Sequence, residues 1–201
     1  MKKIIKLLIK KINNQKEKLY NLKFHFLMWL NNVDASGVRV CKGCPIVDIQ
    51  EGATVSFGKN IWINNYLRTG WFAKSLILVG RNGVLTIGDN SGVNSVSITC
   101  HNSITIGRHV CIGGGTRIYD TDFHPIDWHN RRTDGSKTKT APIVIEDDVF
   151  IGTGCIIGKG RTIGARSVIA AGSVVVKDIP ADCIAGGNPC KVLKQLEHPT
   201  L

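Results

Sequence analysis

Between Ile145 and Val175 an aliphatic residue falls at every sixth position, namely Ile145, Ile151, Ile157, Ile163, Ile169 and Val175. A helix repeats its apolar face at about 3.6 residues and a half-buried strand at about 2, so neither explains this period. A hexapeptide period predicts a parallel β-helix, in which each hexad forms one short strand and a turn, and stacked turns bury the aliphatic column. Glycine follows the aliphatic plug at Gly152, Gly158 and Gly164, where a tight corner excludes a Cβ. The fifth position of each hexad (Val149, Cys155, Arg161, Ser167, Ser173, Ile179) is mostly small or aliphatic and can share the interior. Arg161 is too large to bury unpaired and is expected near a corner or against an acidic partner.

The same comb returns upstream at Ile49, Val55, Ile61 and Leu67, and again at Ile106, Ile112 and Ile118, with Gly107 and Gly113 next in line. Between Ile87 and Ile106 the phase slips by one residue, which predicts a single-residue bulge. The coil is expected to begin near Val38. From Tyr119 to Thr140 the comb gives way to a polar stretch holding Asp120, Asp122, His124, Asp127, His129, Arg131, Arg132 and Asp134. A long loop leaving a regular scaffold is usually functional or disordered. The expected organisation is a basic helical extension over 1–32, a β-helix domain over 33–192 with its long loop at 119–140, and a tail over 193–201.

The first thirty residues read as helix, in one piece or two. Ile4, Ile5, Leu8 and Ile12 can share a face, with Lys2, Lys3, Lys6 and Lys10 largely off it, and a second apolar cluster follows at Leu22, Phe26, Trp29 and Leu30. No stretch reaches the ~20 uninterrupted apolar residues that span a bilayer, and Lys6 and Lys10 interrupt the run that a secretory signal needs. Two readings stay open for this segment. It packs on the β-helix or on a neighbouring subunit, or it is an interfacial anchor whose lysines meet anionic lipid, each contributing roughly 1 kcal/mol.

Composition sharpens the picture at three points. At 201 residues with 43% hydrophobic content the chain has the size and apolar supply of one domain. The net charge is +11, but the eight lysines and one glutamate of residues 1–30 supply +7 of it, leaving +4 for the body, so nucleic acid is not an expected partner. The seven cysteines are odd in number and follow no secretory signal, which places the chain in a reducing, cytoplasmic setting, with contact at the inner face of the membrane if the helix is an anchor. Cys41 and Cys44 form a lone C-x-x-C without a second pair, and Cys100, Cys111 and Cys155 are expected as small packing residues, so no metal is expected.

From about Ile104 to Val192, carried by ITIGRHVCIGGGTRIY, DTDFHPID and the run from APIVIEDDVFIGTG to AGSVVVKDIPADCIAGGNPCKV, the chain resembles the hexapeptide-repeat acyltransferases. Within that family it is most similar to the sugar O-acetyltransferases of the galactoside, maltose and nodulation-factor type. The resemblance implies an all-β fold, a left-handed parallel β-helix with three hexads per turn, and a homotrimer with active sites in the clefts between subunits. It also implies acetyl-CoA as co-substrate.

Acetyl transfer from a thioester to a hydroxyl needs a base, because an alcohol is a poor nucleophile at neutral pH. Histidine, with an ordinary pKa of about 6.5, suits the task. His124 stands in the family's histidine-proline position and is the implied catalytic base, whereas His129 reads as a surface residue and His101 and His109 as structural ones. Asp120 and Asp122 flank the base, where they could orient an imidazole, hold a sugar hydroxyl or simply be solvated. The relatives keep an asparagine on an upstream turn at the acceptor. Counting back from ITIG reaches Val93, and a one-residue adjustment for the slip gives Asn94. For acetyl-CoA, the position-by-position resemblance implies Phe150 and Thr153 near the thioester, Ala171 along the pantetheine arm, and Lys177, Lys191 and Lys194 toward the nucleotide. Val176 departs from the threonine usual before that lysine. Trp62, Trp71 and Trp128 are polar-flanked aromatics that could present a flat face to a pyranose.

The reading that follows is an acetyl-CoA-dependent O-acetyltransferase acting on a sugar hydroxyl of a bacterial surface polysaccharide or its precursor. The alternative closest to it is N-acetylation of an amino sugar or sugar nucleotide. A γ-type carbonic anhydrase would need three zinc-ligating histidines. A purely structural β-helix leaves the histidine-proline loop and the lysines near the end of the coil without a purpose.

Overall fold

The computed structural model describes residues 2–65 and 74–197. Leu67 and Trp71 lie outside the described residues, as do the side chains of Ile4 and Leu8. Among the described residues, strands stack into three sheets of eight, six and five members. The chain visits the three in turn, forming a left-handed parallel β-helix with three flat faces. One coil shows the cycle. Phe150–Ile151 lies on the first face, Ile156–Ile157 on the second and Thr162–Ile163 on the third, after which Val168–Ile169 returns to the first.

Ile145 pairs with Ile163, Ile151 with Ile169 and Ile157 with Val175, so one turn takes three hexads and the comb becomes three internal columns. All six comb residues are fully buried. Each coil alone leaves an apolar face open, and stacking closes it.

Upstream the comb needs correcting. The columns continue from Ile112 to Val93 and Ile63, from Ile118 to Ile98, Ile77 and Val47, and from Ile106 to Ile87 and Phe57. Ile49, Val55 and Ile61 each lie two residues from those columns. Val55 and Ile61 are buried all the same, because a four-residue strand turns two alternate side chains inward. The slip is not one bulge either. Val93 follows Ile87 by six residues, Ile98 follows Val93 by five and Ile106 follows Ile98 by eight, so one corner shortens and the next lengthens.

At the corners, a Cβ on Gly152 would collide with the backbone of Ala171, and one on Gly164 with that of Ala181. Gly158 is different, since its nearest neighbour would be the Val175 carbonyl at an ordinary 3.4 Å. Arg161 sits at a corner as expected, with Nη1 3.9 Å from Asp178 Oδ1 and Nε donating to the Lys159 carbonyl at 3.0 Å. Cys100 and Cys155 are buried packing residues, but Cys111 is exposed, because its strand turns it outward and Ile112 inward. Burial, with Asp120 beside it, pushes the Cys100 thiol up to about 12.

The extension is a single helix, α1 (Lys2–Leu30). Its C-terminal half packs on the first coil, where Phe24 and Met28 are buried and the Phe24 ring meets Phe57 edge-on at 6.4 Å. Asn21 completes the open strand edge. Its Nδ2 donates to the Val40 carbonyl at 2.6 Å and its Oδ1 accepts from the Val40 N–H at 2.9 Å, so a side-chain amide replaces the missing neighbour strand. Among the described residues no helix is long and apolar enough to cross a membrane. At the other end Lys191–Gln195 turns back antiparallel to Cys183–Gly186, carrying three residues of the expected tail into the first sheet.

Candidate active site

The long loop leaves the corner between the second and third faces, after Arg117–Tyr119 and before Ile143–Ile145. Its neck is closed by hydrogen bonds. Thr121 and Thr140 form an antiparallel bridge, the Asp122 N–H donates to the Lys139 carbonyl at 3.0 Å, and the Ala141 N–H donates to the Asp120 carbonyl at 2.9 Å. Asp120 is fully buried, and its carboxylate accepts from the backbone N–H groups of His101 and Asn102, each at 2.7 Å. Both oxygens therefore serve the corner. Of the readings open to Asp120, the structure excludes a solvated loop carboxylate and adds a structural one, the holding of this corner.

Phe123 stands in the left-handed region at φ 61°, an uncommon place for a bulky side chain. Its N–H donates to Thr121 Oγ1 at 3.1 Å and its ring meets Tyr119 edge-on at 5.3 Å. His124 follows, exposed, and Pro125 is buried behind it. Further out, Asp127 caps helix α2 (Trp128–Thr133) by accepting from the Asn130 N–H at 2.8 Å. The loop is thus folded on itself and presents His124 at its surface. The imidazole makes no hydrogen bond to any described residue, including Asp122.

Beside this corner lies a groove of about 470 Å³ lined by Tyr119, Thr121, Asp122, Phe123, Gly158, Lys159, Arg161 and Val176. Asp122 Oδ2 is 3.5 Å from Lys159 Nζ yet is buried without a hydrogen bond among the described residues. Lys159, Tyr119 and Phe123 escape sequence reading, because a coil residue and a loop residue meet only once the loop neck closes. The absence of a close contact at Gly158 keeps the groove floor open.

The residues implied for acetyl-CoA fall elsewhere. Register places Phe150, Val168, Ile184 and Lys194 in one outward column of the first face, and Lys191 beside Gly186 on the same sheet. Phe150 is half exposed, and Thr153 and Ala171 sit on adjacent coils at the corner between the first and second faces. Asn94 ends a first-face strand at that corner, in register with Asn64. Its Oδ1 and the neighbouring Ser95 Oγ are buried without hydrogen-bond partners among the described residues. Lys177 is the exception, because it follows the second-face strand Val174–Val175 and lies at the corner of the His124 loop.

In a three-sided prism the corner between the second and third faces is opposite the first face. One chain therefore separates His124 and Lys177 from Phe150, Thr153, Ala171, Asn94, Lys191 and Lys194. The aromatic candidates for a sugar platform are also partly spoken for. Trp128 is exposed, but the Arg132 guanidinium lies 5.2 Å from its ring centroid, and Arg39 lies 5.6 Å from that of Trp62.

Residues 142–177 match the family model of the bacterial transferase hexapeptide (six repeats). A hexapeptide-repeat acetyltransferase of Vibrio cholerae O1 biovar eltor, solved with acetyl coenzyme A, is 35% identical, with 74% of this chain and 73% of that one matched at TM-score 0.55. The galactoside O-acetyltransferase of Escherichia coli K12 is 35% identical over 141 residues, 69% of this chain and 63% of that one. A maltose O-acetyltransferase of Clostridium difficile 630 is 28% identical, with 95% of this chain and 89% of that one matched at TM-score 0.56. The chain spans 44–63% of the length of three curated relatives it matches.

Proposed function

The chain belongs to the hexapeptide-repeat acetyltransferases, and from that premise we propose that it transfers the acetyl group of acetyl-CoA to a sugar hydroxyl. The acceptor is a bacterial surface polysaccharide or its precursor, met at the cytoplasmic face of the membrane. The working form is a homotrimer.

The observation that carries the reading is the pairing of an exposed histidine, held on a closed loop and without a hydrogen bond to any described residue, with a donor wall on the opposite face. In a trimer the loop corner of one copy faces the first face of the next, which brings the separated residues together. His124 takes the proton of the acceptor hydroxyl as its oxygen attacks the thioester carbonyl. The tetrahedral oxyanion collapses, the carbon–sulfur bond breaks, and the imidazolium returns its proton to the departing CoA thiolate. Asn94, which ends its first-face strand at the corner, lies beside the acceptor hydroxyl. Phe150, Thr153 and Ala171 flank the pantetheine arm, while Lys191 and Lys194 meet phosphates as point charges. Lys177 contributes from the loop side.

Thiol release from acetyl-CoA, measured against matched hydroxy and amino sugars, tests the acceptor class. Release with the hydroxy sugars alone is expected. Release confined to the amino sugars would move the activity to nitrogen.

A further inference from the structure

Helix α1 has two faces with different occupants. Phe24 and Met28 are buried against the β-helix, but two residues along a helix is a rotation of about 200°, so Leu22 and Phe26 on either side of Phe24 point away from it. Ile5, Ile12, Leu19 and Phe26 recur at seven-residue steps, and Leu22 and Trp29 lie three residues after two of them. All six are about half exposed or more, and Phe26 stacks on Trp29 at 5.9 Å. They form one apolar seam along the outer side of the helix.

The flanks of the seam decide its partner. Lys11 and Lys18 run along one border and Lys16 and Lys23 along the other, while Glu17, the one acidic residue of the helix, is on the opposite side. Two copies meeting seam to seam would set lysine rows against lysine rows, which disfavours a coiled coil. An anionic lipid surface neutralises both rows, and the apolar residues between them reach the acyl chains.

We propose that this outward seam of α1 is a lipid-binding surface that lies in the interface of an anionic bilayer. Ile5, Ile12, Leu19, Leu22, Phe26 and Trp29 face the acyl chains and the lysine rows face the phosphates. The β-helix, docked on the other side of the same helix, then stays in water. This inference adds the contacting face and the orientation to the membrane location proposed for the activity, and it stands on the helix alone.

The test uses the purified full-length protein and sedimentation with vesicles of phosphatidylcholine alone or mixed with phosphatidylglycerol. Binding is expected only with the anionic vesicles and should weaken as salt rises. Changing Lys11, Lys16, Lys18 and Lys23 together to Gln should lower vesicle affinity about 100-fold or more. Leu22→Glu with Phe26→Glu should lower it at least about 10-fold. Because these side chains are exposed, both variants should keep the thermal midpoint and the assembly mass in solution. Equal sedimentation of wild type and variants would overturn the proposal. So would a fallen midpoint or a changed mass in the Leu22/Phe26 variant, which would mark the seam as a protein interface.

Discussion

His124→Ala is expected to leave CoA binding unchanged and to slow acetyl transfer at least ~100-fold, the low end for loss of a general base. The substitution removes an exposed side chain that makes no hydrogen bond to a described residue, so the loop neck and the donor wall keep their contacts. Binding is read by CoA titration and turnover by thiol release. A variant that turns over at near the normal rate would exclude His124 as the base. If both binding and turnover fell together, the histidine would be a binding residue instead.

The second large effect is expected four residues earlier. Asp120→Ala should lower folding stability by about 2–5 kcal/mol, because two backbone N–H groups lose a charged acceptor in a fully buried position. It should also lower turnover, since the same residue begins the neck that holds the His124 loop. Urea unfolding measures the first and thiol release the second. Asp120→Asn keeps one acceptor oxygen and should fall between the two. An unchanged unfolding midpoint in the alanine variant would contradict this structural role.

Much of the fold is legible from Ile145 to Val175 because no insertion disturbs that run, and each hexad is one strand and one corner. Upstream the strands lengthen to four residues and place two aliphatic side chains inward, as with Ile61 and Ile63. A six-residue comb can then lock onto either position, which is why Ile49, Val55 and Ile61 fall off the columns. Helix α1 is legible as helix and as amphipathic. What the sequence cannot show is that Phe24 and Met28 on one side find the β-helix while Leu22 and Phe26 on the other face outward.

The site was legible by residue type more than by place. Asp120 and Asp122 look equivalent in sequence, yet the strand ends at Tyr119 and the neck bridge at Thr121 lies between them, and one turns into the corner and the other toward Lys159. Trp62 and Trp128 each have an arginine over the ring, a pairing that the sequence does not show. Lys177 reads with Lys191 and Lys194 as one phosphate-binding set, but the coil assigns it to a different corner. For the proposed activity, that separation calls for a second copy to complete the site.

Co-expression of two inactive forms tests this most directly. One carries His124→Ala and the other carries Phe150→Ala with Lys191→Gln and Lys194→Gln, each with its own tag, and only assemblies retaining both tags are assayed for thiol release with acetyl-CoA and a sugar acceptor. In such mixed assemblies some clefts pair an intact His124 loop with an intact donor wall from another copy, and activity well above either parent is expected. Mixed assemblies no more active than the two parents would contradict a site shared between copies.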